Sequence, residues 1–530
     1  MKMKLKTLIV LLVGVGMLAP SCTKDFAEIN TNPNNTPNAL PQQLLAPALV
    51  NTISNNMIRN RNFNNELMQV TVDVNDAEGK VFRYDFRDSW SDYSWNGLYS
   101  QLTNFKDLYL TAADPVNDNA TYRGISLVCQ AWIYSILTDT YGDIPFSESN
   151  KSRDEKIYEP KFDAQIDVYK GLFAMLEEAN NQFKINKGIV ASSDPIYAGN
   201  ITRWRRFCNS LYLRLLLRVS GKNEVATDVI AKIQQIVSNS SDYPIFTSND
   251  DNAVLKWTGI APYSSPFITA VRDQDFRVPA IGSFFIDRLR DWEDPRLNIP
   301  VYGKNGSNRL GIAPASGQFI GVESGYLPGT GAVRNAYFYS MSQTVSVNSV
   351  TYPAQSLQTE PLTGMIMNYA ELQFILAEAA LKGWVTSATA DTYYKNGVRG
   401  GITQWLPNWP NGTAVTTVPT STEVTNALNA YLTFTGMEWD TSLSMNDLME
   451  RLHIQKYYAM FLVDYQQWFE YRRTGHPILH KGAGLRNNGV MPARMKYPIY
   501  VQSTNPTNYK KAIANQGADL ISTNVWWQKP

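Results

Sequence analysis

The sequence predicts an all-α-dominated fold of tetratricopeptide-like helix pairs carrying one large loop-rich insertion. Three observations carry that reading. Long stretches space their apolar residues three and four apart, the period of a helix with one buried face. These stretches recur as pairs of about 35–40 residues, with small residues such as Ala377, Ala379 and Ala380 where two helices would approach closely. Between two helical halves, residues 243–361 or thereabouts lose the helical period and turn rich in Gly, Pro, Ser and Tyr.

Residues 1–21 have the order of a secretory leader. Lys2, Lys4 and Lys6 precede the apolar stretches Leu8–Val13 and Gly14–Ala19, and Cys22 follows directly after a small residue. That placement predicts a lipoprotein, with a thioether-linked lipid on Cys22 and an acyl chain such as palmitate on its new amino terminus. The plain alternative is an ordinary cleaved signal. Each buried CH₂ of such chains contributes ~0.8 kcal/mol, so several chains make a durable anchor. Residues 22–43, rich in Asn and Pro through Asn30–Pro33 and Pro37, read as a flexible tether.

Residues 44–530 then read as a single domain. Helical spacing marks Leu44–Ile58, Ser89–Leu110, Tyr122–Thr138, Phe162–Phe183 and Trp204–Val219, then Met367–Gly383, Ala390–Val398 and Ser444–Tyr471. The last of these is the clearest. Ser444 and Asp447 have capping-box spacing, and Leu448, Leu452, Ala459 and Leu462 fall on one face. Arg472 and Arg473 suit the negative helix end, and Gly475 with Pro477 stops it. Trp132, Trp204 and Trp468 sit in helical periods and are expected in the core. Within the insertion, helical spacing returns only around Ile281–Leu289, and Tyr337–Met341 reads as a short strand. A loop-rich stretch this long inside a folded domain is usually functional.

Charge excludes two classes of partner. Lys and Arg number 48 against 47 Asp and Glu, and losing the three leader lysines leaves 45 against 47, a net charge of −2. A near-neutral mature surface argues against nucleic acid, which needs a basic face, and against polybasic membrane binding. After the leader, no stretch approaches the ~18 apolar residues of a spanning helix.

No reactive constellation appears. Three cysteines are too few for a disulfide framework, and Cys129 and Cys208 lie in apolar helical stretches as small buried hydrophobes. His476 and His480 are four apart, but Pro477 between them denies a shared helical face to a metal. Phosphate-loop, zinc-protease, nucleophile-elbow and paired-cysteine spacings do not occur in the mature chain. Acidic pairs such as Glu177–Glu178 and Asp250–Asp251 read as solvated charge. The expectation is a non-enzyme with no cofactor and no metal.

Aromatic residues make up 12% of the chain, with 29 Tyr and 13 Trp. A flat ring outside a helix core can stack on a sugar face or a peptide side chain at low entropic cost. The candidates are Trp90, Tyr93 and Trp95, with Arg83, Arg87 and Asp88 beside them, and Trp257, Tyr263, Trp292, Tyr302, Tyr326 and Tyr337 in the insertion. The competing role for each is loop packing. Trp405 and Trp409 form a third aromatic cluster.

Several motifs, in order, resemble the SusD/RagB family of outer-membrane lipoproteins, in particular its second SusD-like subgroup. They are Asp25-Phe26 in the tether, the turn Tyr141-Gly142-Asp143-Ile144-Pro145, the block Trp204 to Phe207 with Asn209-Ser210-Leu211, Asp294-Pro295-Arg296, and Ala370-Glu371 with Phe374 to Ala380. Near the end stand Tyr471-Arg472-Arg473-Thr474-Gly475, Pro492-Ala493-Arg494, Tyr497-Pro498 and Trp526-Trp527. The resemblance implies four tetratricopeptide-like helix pairs with the insertion packed on them. It also implies a surface lipoprotein of the outer membrane that binds a nutrient glycan and delivers it to a SusC-like TonB-dependent transporter. Capture of peptides is the alternative within the family. A surface glycoside hydrolase or a protein-only scaffold are the alternatives outside it. The family's ligand sites draw on the two aromatic regions above.

Overall fold

Residues 39–75, 79–297, 308–314, 318–347, 349–411 and 417–530 are described by a computed structural model. The expected leader, Cys22, Tyr302 and most of the tether lie outside them. The first helix, α1 (Pro41–Arg59), begins ahead of the expected residue 44, on a proline whose fixed φ suits a first helical position. It buries Leu45, Ala48, Leu49, Thr52 and Ile53 and runs on through a π turn, Asn60–Asn64.

Five helices follow: α2 (Trp90–Ala113), α3 (Ala120–Tyr141), α4 (Gln165–Lys184), α5 (Ile201–Val219) and α6 (Ala226–Ser238). Each packs against the next in chain order, as stacked helix pairs must in order to bury one another's faces. Asn119 and Asn200 cap α3 and α5, their side-chain oxygens accepting hydrogen bonds from the first free backbone N–H groups. Trp132, on α3, and Trp204, on α5, are buried in the core, as are Cys129 and Cys208.

The insertion holds α7 (Ser283–Asp291), close to the expected Ile281–Leu289, and short strands. The strands in chain order are β1 (Thr71–Val72), which precedes the insertion, then β2 (Ala253–Leu255), β3 (Ala280–Ile281), β4 (Ile312–Ala313), β5 (Tyr337–Phe338), β6 (Thr344–Val347) and β7 (Val350–Pro353) within it, and β8 (Gly364–Met367), which follows it. They pair antiparallel two by two: β1 with β3, β2 with β8, β4 with β5 and β6 with β7. The expected strand Tyr337–Met341 is therefore real but shorter.

The second half comprises α8 (Tyr369–Leu381), α9 (Ala390–Thr403), α10 (Ser421–Thr435), α11 (Met445–Ala459), α12 (Gln466–Thr474) and α13 (Pro506–Gln516). Helices α8, α9 and α11 pack together, and α8 also contacts α5. Gly397 lets α9 approach α8 closely, since a Cβ there would fall 2.7 Å from the Phe374 ring. The two halves are joined by a buried bidentate ion pair. Arg214 on α5 donates through Nε and an Nη to Glu371 on α8, both bonds 2.6 Å long.

Ser444–Tyr471 is two helices rather than one. The chain breaks after α11, with Leu462 at φ +71° and Asp464 at φ +25°. There the Asp464 carboxylate accepts hydrogen bonds from the Tyr465 backbone N–H, Gln466 Nε2 and Trp132 Nε1. Asn60 Nδ2 donates to its carbonyl at 2.6 Å. These bonds give the backbone an alternative to the helical ladder, and Leu462 leaves the face of Leu448, Leu452 and Ala459. Helices α6, α10 and α13 were not expected. Each buries few side chains, three or fewer, although α6 does carry a regular apolar stripe in Val229, Ile233 and Ile236.

Motif residues mostly hold elements together. Gly142 ends α3 at φ +86°, where a Cβ would run into the Gln516 side chain of α13. Gln516 Oε1 accepts from the Asp143 N–H, while Asp143 Oδ1 accepts from the Gln165 N–H at the start of α4. Asp294 and Arg296 form a buried bidentate pair that also takes the Tyr431 hydroxyl. Arg472 donates to the Asp139 carbonyl, Arg473 to Glu378, and Arg494 pairs with Asp519.

Candidate functional site

The amino end of α2 presents the most exposed of the candidate rings. Its first two turns carry Trp90, half-buried, and Tyr93, 56% exposed, in edge contact with centroids 6.2 Å apart. Trp90 is backed by the buried Phe63 at 6.0 Å, so its position is fixed from below. Arg59, the last residue of α1, lays its guanidinium 4.5 Å from the Tyr93 centroid and 5.8 Å from that of Trp90. The result is a firm aromatic platform with a cation at its edge, able to stack a flat ligand face and to donate hydrogen bonds beside it.

The segment leading into α2 ties this platform to the insertion. Its short turn Val81–Arg83 puts Phe82 in the core, stacked on Tyr326 at 5.3 Å. Arg83 lies 4.6 Å from the Tyr326 ring and donates from Nε to the Tyr326 carbonyl. Glu66 supports the segment from beneath by accepting a hydrogen bond from the Phe82 N–H. Burial, reinforced by the nearby Asp73 charge, pushes its carboxyl up to about 8.

The other candidate rings have different neighbours. Trp95 points away from Tyr93 and is almost buried among Tyr99, Tyr141, Phe162 and Tyr497. It lies on the wall of a cavity of about 420 Å³. Trp292 is buried against Tyr431 and Tyr458, and Trp257 is buried beside Gly364. Tyr263 is half-buried against the core, and Tyr337, half-buried, has Arg334 over its ring at 4.2 Å. Trp405 and Trp409 are buried.

Sequence reasoning did not find Arg59, because only the packing of α1 on α2 brings it to Tyr93. It also passed over Tyr158 and Tyr500, exposed rings outside the two regions it weighed. Both lie two residues from a proline, Pro160 and Pro498, a loop signal available in the sequence.

Three of the four acidic side chains are engaged in bonds, while Asp250 is exposed. Glu177 accepts from Lys232 and Tyr243, Glu178 from Gln182, and Asp251 pairs with Arg206. Among the described residues, no group of three or more His, Cys, Asp or Glu could hold a metal ion, and no helix is long and apolar enough to cross a membrane.

The family profile of the second SusD-like group, described as "Starch-binding associating with outer membrane", matches residues 33–498. The chain belongs to this SusD-like family. Solved structures share its fold along nearly the whole length. A SusD homologue from Bacteroides fragilis is 25% identical, with a TM-score of 0.71, covering 93% of this chain and 99% of its own. One from Bacteroides uniformis is 22% identical, with a TM-score of 0.69, covering 92% and 99%. A chitin-binding SusD homologue from Flavobacterium johnsoniae is 19% identical, with a TM-score of 0.70, covering 92% and 98%. No curated protein matches the chain. The SusD-like helix pairs are thus those of α1–α6 and of the second half, with the insertion between them.

Proposed function

We propose that this SusD-like protein is a non-enzymatic outer-membrane lipoprotein that captures a nutrient oligosaccharide and delivers it to a SusC-like TonB-dependent transporter. The observation that carries the reading is the Arg59–Trp90–Tyr93 platform in a chain of a starch-binding, outer-membrane-associated family. A sugar ring has an apolar face that stacks on Tyr93 and a hydroxyl rim that the Arg59 guanidinium can serve as a donor. The chitin-binding homologue of the same fold supports a glycan as ligand. Tyr326, bound to Arg83, would extend the platform toward the insertion, with Tyr263, Tyr302 and Tyr337 as the further candidates, whereas Trp257 and Trp292 are buried in packing and Trp95 faces another side of α2. The lipid on Cys22 would hold the body at the membrane, facing the cell surface, on the tether of residues 22–43.

Calorimetric titration with glycan and peptide panels tests the ligand class. Saturable glycan binding without product supports the reading. Hydrolysis of the glycan, or binding confined to peptides, overturns it. Mild detergent extraction tests the partner: a barrel-sized protein should co-purify with the lipidated chain.

A further inference from the structure

We propose that the groove between α2 and the 149–158 segment is a second carbohydrate-binding site, taking a neutral oligosaccharide segment independently of the platform at the start of α2. Residues two apart on a helix point roughly 200° apart, so Tyr93 and Trp95 serve different sides of α2.

Trp95, Tyr99, Thr103, Lys106 and Leu110 form one stripe at spacings of three and four. That stripe runs for roughly 22 Å at 1.5 Å per residue. Two cavities of about 420 and 430 Å³ lie along it and share Asn150, Lys151 and Ser152 in their walls, so they are lobes of one groove. The first lobe has Trp95, Tyr99 and Phe162 in its wall and two outlying rings, Tyr158 (71% exposed) and Tyr500 (40% exposed). Exposed rings beside a pocket are unusual in a packed surface and are what a sugar face stacks on. Tyr500 donates to Asn96 Oδ1, and Asn505 Nδ2 donates to the Pro160 carbonyl two residues beyond Tyr158.

The wall between the lobes is also fixed. Asn150 sits at φ +58° with Nδ2 donating to the Tyr99 carbonyl and to Thr103 Oγ1, both at 2.8 Å.

Charge decides the ligand class. In the second lobe Arg153 pairs with Asp107 and Asp154, and Lys151 with Glu155. Lys106 Nζ is spent on the Ser149 carbonyl and hydroxyl. No sign of charge is left in excess to attract a polyanion or a polycation. The groove is walled by helix and irregular chain, so it offers no strand edge for a peptide to pair with by strand addition. Hydroxyl and amide side chains alternating with rings suit a neutral sugar chain.

The test is calorimetric stoichiometry on the full mature chain, with maltohexaose, chitohexaose and xylohexaose as probes and hexaglycine as the peptide control. Two sugars per wild-type chain are expected for the bound probe. Tyr158→Ala/Tyr500→Ala, or Ser152→Trp to fill the groove, should remove one of them or weaken it about tenfold, with an unchanged circular dichroism spectrum. Trp90→Ala/Tyr93→Ala should remove the other. One sugar per wild-type chain, lost in Trp90→Ala/Tyr93→Ala and untouched by both groove variants, overturns the groove and leaves the platform standing. One sugar lost only in the groove variants overturns the platform and the claim of two sites. Binding of hexaglycine in place of the sugars, or of no hexasaccharide at all, overturns both.

Discussion

The guanidinium of Arg59 lies 4.5 Å from the centre of the Tyr93 ring. One residue ends α1 and the other stands in the first turn of α2, so the packing of that helix pair delivers a cation to the edge of an exposed ring. The scaffold here makes the site, because neither residue signals the other in the sequence. Removing the guanidinium donor with Arg59→Met should weaken glycan binding about two- to tenfold, the equivalent of ~0.5–1.5 kcal/mol for one hydrogen bond to a ligand hydroxyl. Titration of the variant against wild type measures this, and its melting temperature should stay close to that of wild type.

Arg214 and Glu371 join the two helical halves through a buried bidentate pair. Arg214→Met strands the Glu371 carboxylate and should destabilise the fold by about 3–5 kcal/mol. The double variant Arg214→Met/Glu371→Leu should recover most of that loss. Denaturant unfolding of the three proteins gives the comparison, and a single variant as stable as wild type would show that the pair contributes little.

Glu66 gives the fold a pH slope. Its carboxyl is raised from 4.5 to about 8 in the native state, mainly by burial. Between those values the unfolded chain releases a proton that the native chain keeps, so this group's contribution to stability is present below pH 4.5 and is lost as pH rises toward 8. Glu66→Gln removes the slope. It should raise stability relative to wild type by roughly 4 kcal/mol at pH 8 and by about 1 kcal/mol at pH 5. Thermal melts at the two pH values read the difference, and equal effects at both would refute the assignment.

Trp204 Nε1 donates at 2.7 Å to Asp194 Oδ2, whose carboxylate also holds the N–H groups of Ile196, Tyr197 and Gly199. Trp204→Phe keeps the apolar mass and removes that donor. It should cost about 1–3 kcal/mol, the penalty of a buried acceptor left short of a partner. A fall in the denaturant midpoint without change in slope is the expected signature.

Cys22→Ser should move the protein from the membrane fraction to the soluble one and abolish palmitate labelling. Unaltered membrane association in the variant would exclude Cys22 as the anchor.

The helical halves were legible because their core helices repeat apolar residues at helical spacing over long runs. Helix α3, buried nearly all round, was legible instead as a long apolar run. Helices α10 and α13 were harder to read because they bury only three and two side chains, whereas α6 carries Val229, Ile233 and Ile236 on one face and was legible though unread. The break at Asp464 could not be read either, since it depends on Trp132 and Asn60, hundreds of residues away in the chain. At the site, Trp90 and Tyr93 could be named from composition and position. Their partner Arg59 could not, because contact between distant segments defines it, whereas Tyr158 and Tyr500 carried a loop signal in Pro160 and Pro498 but no sign that they share one groove.

The central claim is glycan capture on the α2 platform, and an equilibrium titration of the mature chain and its Trp90→Ala/Tyr93→Ala variant with oligosaccharides tests it most directly. The account predicts saturable binding to wild type, a loss of at least tenfold at that platform in the variant, and no product formed. Equal affinity in both proteins, or cleavage of the sugar, would contradict it.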